Sequence, residues 1–341
     1  MMNSRERMFA ILQGREADFV PIFPKIAFSN VLACHGMTVR EYMTDSACMA
    51  RAVIGAQELF GWDTLAFHTD IGSEGHALGS LYEQPEHGPS QLTKYLLNDI
   101  ADYEKIVTPD PNVALPMKTV IDAVKIAKRE KGSDAFIQAW TNGPLNIASQ
   151  VLRIDSLLTE MLDNPEALHL LLERCLATGL VYAKALVSAG ADAIAFGHAM
   201  ASSSVISKEH YTEFALPYEK RLVAAIHKEG AVAITHICGN IVPIVGLISE
   251  NGSDIIDFDH VCDFGTLNQS APEKIFRGNI SPELLAFGTE EQIDENVKRL
   301  LMTGGKTRKL ILGSGCEIAL NTPINNLHAF VKAGRNYGKL S

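Results

Sequence analysis

The sequence contains no run of about 18 or more apolar residues, the minimum length for a helix that crosses a bilayer. Basic residues are also in short supply, because 30 lysines and arginines face 40 aspartates and glutamates, a formal net charge of −10. A nucleic-acid-binding protein needs a basic surface that meets the phosphates. The sequence therefore predicts neither a membrane protein nor a nucleic-acid-binding protein.

A disulfide framework is lacking as well. Six cysteines are scattered over 341 residues, whereas small disulfide-stabilised secreted domains carry many in a short chain. Residues 1–16 have the pattern of an amphipathic helix with charges of both signs. This segment lacks the apolar core and small-residue cleavage site of a secretory signal. We therefore expect a reduced, intracellular protein with a cytoplasmic location.

The apolar pattern predicts the fold class. Eight short apolar segments, most of them followed by a helical pattern, indicate parallel strands at residues 20–26, 62–67, 135–140, 191–196, 232–237, 254–258, 274–278 and 310–312. Eight such units predict an α/β protein, a (β/α)8 TIM barrel formed as one domain by residues 1–341. The alternative is a doubly wound open sheet, which is disfavoured because no Gly-x-Gly-x-x-Gly follows the first strand.

Helical patterns and one irregular region complete the prediction. Three of the helical patterns are long and span residues 38–60, 165–189 and 208–228. Residues 80–116 are polar and interrupted by prolines, so we expect an excursion from the barrel there.

The predicted strand at residues 232–237 ends in His236 and Cys238, whose side chains leave the strand on one side. Cys316 follows the last strand, beside glycines. We hypothesise that these three side chains hold one catalytic zinc ion with a fourth position left open. The alternative is a hydrogen-bonded core histidine and two buried thiols, since His-x-Cys often occurs by chance. In a structural zinc site, Cys262 or Glu74 would supply the fourth ligand.

Other polar side chains follow the remaining strands, where barrel enzymes carry their chemistry. Asp70 and Glu74 are candidate catalytic carboxylates, for acid–base work or for orienting a ligating histidine. The alternative for this pair is helix capping. The candidate substrate-binding residues are Lys25, Asn142, His198 and Asn279. Lys25 would bind an anionic group, with an ion pair inside the barrel as the alternative, and a scaffold role is the alternative for His198.

Nearly the whole sequence resembles the uroporphyrinogen decarboxylase superfamily. The likeness is carried by residues 5–14 ahead of a Val-Pro strand, by residues 69–79, and by the Gly-Ala-Asp at 190–192. True decarboxylases have an arginine-rich loop after the first strand, whereas residues 23–28 contain no arginine. They also show Gly-His-Gly where this chain has Gly-Ser-Gly-Cys at 313–316.

The closer likeness is to the zinc-dependent, corrinoid-linked methyltransferases of that superfamily. Their His-x-Cys motif and distant cysteine fall on His236, Cys238 and Cys316. The resemblance implies transfer of a methyl group between a corrinoid and a small thiol such as coenzyme M. None of the histidines has an aspartate two residues before it, so the sequence has no Asp-x-His-x-x-Gly corrinoid-binding motif. We therefore expect the corrinoid, of the methylcobalamin type, on a separate partner protein.

Three alternatives remain open at this point. The first is the opposite direction, in which a small methylated substrate is demethylated onto a Co(I) corrinoid. The second is a metal-independent lyase similar to uroporphyrinogen decarboxylase, with Asp70 in the reaction. The third is a non-enzymatic module that binds a corrinoid protein.

Overall fold

A computed structural model describes residues 2–340, and residues 1 and 341 lie outside the described part of the chain. Its strands are β1 (Thr64–Phe67), β2 (Leu81–Glu83), β3 (Gln91–Lys94), β4 (Phe136–Asn142), β5 (Ala193–Gly197), β6 (Val232–His236), β7 (Ile255–Asp257), β8 (Ile275–Ile280) and β9 (Leu310–Ser314).

Its α-helices are α1 (Ser4–Leu12), α2 (Val39–Thr44), α3 (Ser46–Phe60), α4 (Ser73–Leu78), α5 (Met117–Lys131), α6 (Pro144–Val151), α7 (Ile154–Asp163), α8 (Pro165–Ala189), α9 (Lys208–Phe214), α10 (Leu216–Lys228), α11 (Val245–Ser249), α12 (Phe264–Ser270), α13 (Pro282–Phe287), α14 (Glu290–Gly304) and α15 (Ile324–Tyr337). None of the helices in residues 2–340 has both the length and the apolar character that a bilayer crossing requires.

Seven strands form one parallel sheet in the order β1-β4-β5-β6-β7-β8-β9. Every residue of β4 and of β5 is buried, as expected for a parallel sheet that is covered on both faces. Because all the strands run in one direction, their carboxyl ends gather at a single rim, which we call the mouth of the barrel. The predicted α/β class and (β/α)8 barrel architecture are confirmed.

The eighth position of the barrel is filled by residues 20–23. Ile22 forms one parallel bridge with Leu312 of β9. On its other side, the carbonyl oxygen of Ile22 accepts a hydrogen bond of 2.8 Å from the N–H of Asp63, the residue before β1. This segment therefore joins the two edges of the sheet and closes the barrel.

The first predicted strand, residues 20–26, lies at the predicted position in the barrel, but its paired part is much shorter than predicted. Pro21 and Pro24 have no N–H group, so a ladder of hydrogen bonds cannot continue through them. The pairing shrinks to the single bridge at Ile22.

Two of the three long predicted helices are broken, whereas the third forms α8 with the predicted bounds. The pattern at residues 38–60 divides at Asp45, whose extended backbone ends α2 and whose side chain caps α3. The pattern at residues 208–228 divides at Ala215, because Pro217 in the first turn of α10 has no N–H to continue a helix from α9.

The excursion at residues 80–116 contains an antiparallel hairpin of β2 and β3 and a short 3-10 helix, Ile100–Lys105. Four short helices that the sequence patterns do not predict follow strand ends, namely α4, α6, α12 and α13. They contain six to eight residues each, which is too short for a helical period to be distinct. These helices carry the chain around the mouth.

The buried apolar side chains of residues 2–340 form one core cluster. The prediction of a single domain over residues 1–341 stays a prediction.

A buried charge cluster holds both chain ends against the point of closure. The carboxylate of Asp63 is fully buried and pairs with Arg7 at 2.5 Å and with Arg335 of α15 at 3.0 Å. It also accepts the N–H of Ile22 at 2.8 Å. Arg7 has a second partner, Asp18, at 2.7 Å. Asp63 therefore connects α1, the closing segment and the last helix.

Replacement of Asp63 should destabilise the barrel far more than the loss of a surface ion pair. We expect Asp63→Asn to lower the free energy of unfolding by roughly 3 kcal/mol, because buried Arg7 loses one of its two counter-ions and Arg335 loses its partner. In the control Asp155→Asn, the pair with Arg153 is solvent-exposed, and the loss should be much smaller. Urea titration measures both values, and equal losses would contradict the role of Asp63.

Candidate metal centre

Three side chains from distant parts of the sequence meet at the mouth. His236 is the last residue of β6, Cys238 lies two residues later, and Cys316 follows β9. Nε2 of His236 lies 3.3 Å from Sγ of Cys238, which lies 3.9 Å from Sγ of Cys316. One ligand atom from each side chain falls within 4.8 Å of the other two. Among residues 2–340, this is the one group of three or more histidine, cysteine or acidic side chains with that geometry.

Glycines beside the two cysteines make this geometry possible. Gly239 has a φ of +79°, a backbone conformation that residues with a Cβ atom rarely adopt. It turns the chain directly after Cys238. Gly315 precedes Cys316, and a Cβ atom there would lie 2.6 Å from the backbone nitrogen of His260. Without a side chain at 315, the loop after β9 packs against the loop after β7.

Asp257 fixes the orientation and the tautomer of His236. Its carboxylate lies 3.2 Å from Nδ1 of His236 and also binds the guanidinium of Arg277. Burial alone would raise the pKa of Asp257, but the charge of Arg277 and the contact with His236 outweigh burial and lower it. The ionised carboxylate accepts a hydrogen bond from Nδ1 of His236. This contact directs Nε2 toward the two sulfurs.

The sulfurs of Cys238 and Cys316 form a hydrogen-bonded pair. A hydrogen bond between the sulfurs lowers the pKa of Cys316 and raises the pKa of Cys238, and burial adds to the rise at Cys238. The sulfur of Cys316 is therefore the more acidic of the two.

This donor set fits zinc. One imidazole nitrogen and two thiolate sulfurs are ligand types that zinc prefers, and three protein ligands leave one position free, as in catalytic sites. Cys262 and Glu74, the alternatives for a fourth ligand, lie outside the group. The thiol of Cys262 instead donates to the carbonyl oxygen of Gly239 at 3.5 Å. The arrangement resembles an open zinc site rather than a closed structural one.

The two candidate catalytic carboxylates are held by their own surroundings. Glu74 is fully buried and accepts hydrogen bonds from the hydroxyl of Thr141 and from the backbone and side chain of Asn142. Burial raises the pKa of Glu74. Asp70 accepts the backbone N–H of Ser90 at 2.8 Å and so fastens the hairpin loop. These contacts favour structural roles, and catalytic roles for Asp70 and Glu74 stay predictions.

His198 belongs to a buried polar network. Its Nδ1 lies 2.5 Å from Glu219, whose other oxygen accepts from Tyr211 and Asn251. Its Nε2 has no hydrogen-bond partner among residues 2–340 and lies against Gly143, where a Cβ atom would be 2.1 Å away. The network holds the imidazole rigidly beside the backbone that follows β4.

The two asparagines among the candidate substrate-binding residues already have protein partners. The side chain of Asn142 binds Glu74 and Asn146. The side chain of Asn279 donates to the carbonyl oxygen of Cys262 at 2.7 Å. Their substrate-binding roles stay predictions.

Two aromatic side chains of the mouth, Trp140 and His68, are missing from the predicted site residues. The ring centroid of Trp140 lies 4.5 Å from that of His68 and 5.8 Å from that of His236. The ammonium of Lys25 lies 4.7 Å from the centre of the Trp140 ring. The sequence pattern of β4 indicates Trp140, because side chains alternate along a strand and Trp140 shares its face with Asn142 two residues later.

Lys25 is the predicted anion-binding residue. Burial alone would lower its pKa, but the nearby charges of Cys316 and Glu317 outweigh burial and raise it. Its side chain is therefore a charged ammonium beside the metal centre.

Comparison with known proteins places this geometry in context. The sequence profile described as uroporphyrinogen decarboxylase (URO-D) matches residues 3–337. The methylcobamide:CoM methyltransferase MtbA of Methanosarcina acetivorans is 28% identical over 342 residues, which cover 98% of each chain. A methylated-thiol–coenzyme M methyltransferase of Methanosarcina mazei is 26% identical over 341 residues, which cover 98% of this chain and 89% of the relative.

A solved structure shares the fold. The structure of a methyltransferase from Methanosarcina mazei superimposes with a TM-score of 0.90 and 23% sequence identity, and the match covers 99% of both chains.

A methyl group at position 143 should displace His198. We expect Gly143→Ala to lower the free energy of unfolding by about 1–3 kcal/mol, because the new Cβ overlaps the imidazole. The matched control is Gly246→Ala in α11, where an added Cβ meets no atom within 4 Å. Alanine there should leave stability unchanged or raise it by up to about 1 kcal/mol. Urea titration of both variants measures these free energies of unfolding. Equal stabilities would contradict the position of the His198 imidazole against Gly143.

Proposed function

The chain belongs to the uroporphyrinogen decarboxylase family, and within that family we propose that it is a zinc-dependent methyltransferase. It moves a methyl group between a corrinoid carried by a partner protein and a small thiol such as coenzyme M. The observation that carries this proposal is the meeting of His236, Cys238 and Cys316 within 4.8 Å at the mouth of the barrel. The likeness to the methylcobamide:CoM methyltransferase of Methanosarcina acetivorans over nearly the whole chain supports it.

The residues of the centre suit a reaction at sulfur. Bound zinc supplies an open position at which a substrate thiol loses its proton near neutral pH. Cys238 and Cys316 contribute two negative charges, so the substrate sulfur keeps its electron density and stays nucleophilic. Asp257 holds the Nδ1 proton of His236, which leaves Nε2 as the ligand atom.

The methyl transfer needs no reagent besides the thiol and the methylated corrinoid. The substrate sulfur forms a bond to the methyl carbon of the methylated corrinoid. The bond between that carbon and cobalt breaks, and its electron pair stays with the corrinoid of the partner protein. The proton of the thiol leaves to solvent.

The opposite direction uses the same residues. A methylated sulfur compound would then give its methyl group to the reduced corrinoid and leave as a thiolate. The likeness to the methylated-thiol–coenzyme M methyltransferase of Methanosarcina mazei favours this as the second candidate function.

The mouth also suits a partner protein. Loops after β1, β5 and β7 carry the exposed apolar side chains of Ile71, Val205 and Val261. Exposed apolar side chains are common at protein interfaces. Their position around the metal centre supports delivery of the corrinoid by a protein that covers the mouth.

A metal-independent lyase remains the alternative within the family. A porphyrinogen with several carboxylates needs several cations, yet Arg277 already pairs with Asp257. Residues 23–28 supply one lysine and no arginine. These observations favour a smaller substrate than a porphyrinogen.

An assay with methylcobalamin as methyl donor and coenzyme M as acceptor tests the proposal. We expect turnover, followed as the loss of methylcobalamin absorbance, that a chelator abolishes and added zinc restores. Metal-free protein that decarboxylates a porphyrinogen at full rate would overturn the proposal in favour of the lyase.

Removal of the Cys316 thiol tests whether zinc content and methyl transfer depend on the candidate metal centre. We expect Cys316→Ala to lose nearly all zinc after dialysis against a chelator and to lose methyl transfer, because two protein ligands hold zinc weakly. The control Cys262→Ala removes a buried thiol outside the group and should keep about one zinc per chain. Elemental analysis and the methyl-transfer assay measure both properties.

The variant Cys316→Ala also tests the alternative of a non-enzymatic module that binds a corrinoid protein. A protein that merely binds a corrinoid partner would have no turnover to lose. Unchanged turnover of Cys316→Ala would exclude Cys316 as a ligand.

A further inference from the structure

We propose that Cys238 and Cys316 form a reversible disulfide when a peroxide reaches the mouth of the barrel, and that this bond releases the zinc ion. We call the two cysteines the oxidation switch. The consequence for activity rests on the proposed function, because a centre without zinc would no longer transfer methyl groups. The inference adds a regulation of the candidate metal centre by oxidants.

The first observation is the distance between the two sulfurs. Sγ of Cys238 lies 3.9 Å from Sγ of Cys316. All six cysteines of the chain are free, and within residues 2–340 no second pair of cysteine sulfurs is in contact. A disulfide joins its sulfurs at about 2 Å, so a further approach of roughly 2 Å closes the bond. Oxidation therefore has one preferred pair among the cysteines.

The second observation concerns access and freedom of movement. Both cysteines lie outside the regular strands, since β6 ends at His236 and β9 ends at Ser314. Both are half-buried, so a small oxidant reaches them from the mouth. A glycine lies next to each of them in the sequence. The sulfurs can therefore approach each other through two short loops, without a change in any strand.

The third observation is the anchoring of the backbone at Cys238. Its carbonyl oxygen accepts a hydrogen bond of 2.8 Å from Oγ of Ser202, and the N–H of Gly239 donates to Asp259 at 2.8 Å. These contacts limit the movement to the two cysteine side chains and the loop after β9. We therefore expect the barrel to stay folded in the oxidised protein and to regain its metal centre on reduction.

The oxidation needs a peroxide as its one co-reactant. The sulfur of one cysteine attacks an oxygen of the peroxide, the O–O bond breaks, and hydroxide leaves. The second sulfur attacks the resulting sulfenic acid, the S–S bond forms, and the second oxygen leaves as hydroxide. Two protons from solvent convert both hydroxides to water. The two sulfurs lose two electrons in total, which the peroxide gains.

Formation of the disulfide removes two of the three ligands of the centre. The thiolate is the form of cysteine that binds a metal, and a disulfide sulfur carries no charge. Zinc would then be held by His236 alone, which is too few ligands for a stable site. Loss of the ion therefore follows from the same bond.

Cys262 is the competing partner for Cys238. Its sulfur lies 3.5 Å from the carbonyl oxygen of Gly239 and 3.8 Å from the side-chain oxygen of Asn240. These acceptors hold the thiol of Cys262, which has no contact with a second sulfur among residues 2–340. Cys262 is therefore a matched control, a nearby thiol outside the oxidation switch.

Treatment of the zinc-loaded, full-length protein with hydrogen peroxide tests the inference. We expect the intact mass to fall by two hydrogen atoms and peptide mapping to join Cys238 to Cys316. About one zinc per chain should enter solution with the same time course, and methyl transfer should fall with it. Dithiothreitol followed by zinc should restore both properties, and the far-ultraviolet circular dichroism should stay unchanged throughout.

Two variants separate the pair from the other thiols. The control Cys262→Ala should form the same disulfide and release zinc at the same rate as the unaltered protein. In Cys238→Ala, Cys316 has no partner, so we expect peroxide to add oxygen atoms to Cys316 as a sulfinic acid that dithiothreitol does not remove. Metal-free unaltered protein should form the disulfide without this addition.

The outcomes of the peroxide experiment distinguish the inference from the proposed function. A disulfide with zinc release, in a protein that transfers no methyl group to any thiol, would support the oxidation switch and overturn the proposed function. Zinc-loaded protein that resists peroxide, a disulfide to Cys262, a sulfinic acid in place of the disulfide, or a disulfide that leaves zinc bound would each overturn the oxidation switch.

Discussion

Closure of the parallel sheet is the constraint on which the candidate metal centre depends. Cys238 follows β6 and Cys316 follows β9, three strands away in the sheet order. At a strand spacing of about 4.8 Å, a flat sheet would separate them by roughly 14 Å. In the barrel, their sulfurs lie 3.9 Å apart. The bridge at Ile22, held by Asp63, keeps the sheet curled enough for the centre to form.

Pairing of buried charges determines which groups at the mouth are free to react. Asp257 satisfies both Arg277 and His236, and Glu219 satisfies His198. Each pair fixes a side chain in one orientation, because a buried charge that loses its partner is costly. The groups left without a protein partner are therefore informative. Nε2 of His68 and Nε1 of Trp140 are two such atoms, buried and without a hydrogen-bond partner among residues 2–340.

The sequence predicts best what depends on local pattern. Strand β5 is apolar along its whole length, and the sequence groups His236, Cys238 and Cys316 because each lies at or just after a predicted strand end. Features set by hydrogen bonding across the barrel were harder to predict. Pro21 and Pro24 shortened the first strand, and the break at Asp45 depends on a side-chain cap. Trp140 resembled a core residue, because its contacts with Lys25 and His68 exist only in the folded chain.

The charge at the mouth and the metal ligands point to the same size of substrate. A decarboxylase substrate with many carboxylates must be held by many cations, whereas a thiol is held mainly by its bond to the metal. Lys25 is the one cationic side chain among residues 23–28. The same segment contains no arginine, and Cys238 and Cys316 follow β6 and β9. Under the proposed function, a metal that binds sulfur would do part of the work that several cations do for a polyanionic substrate.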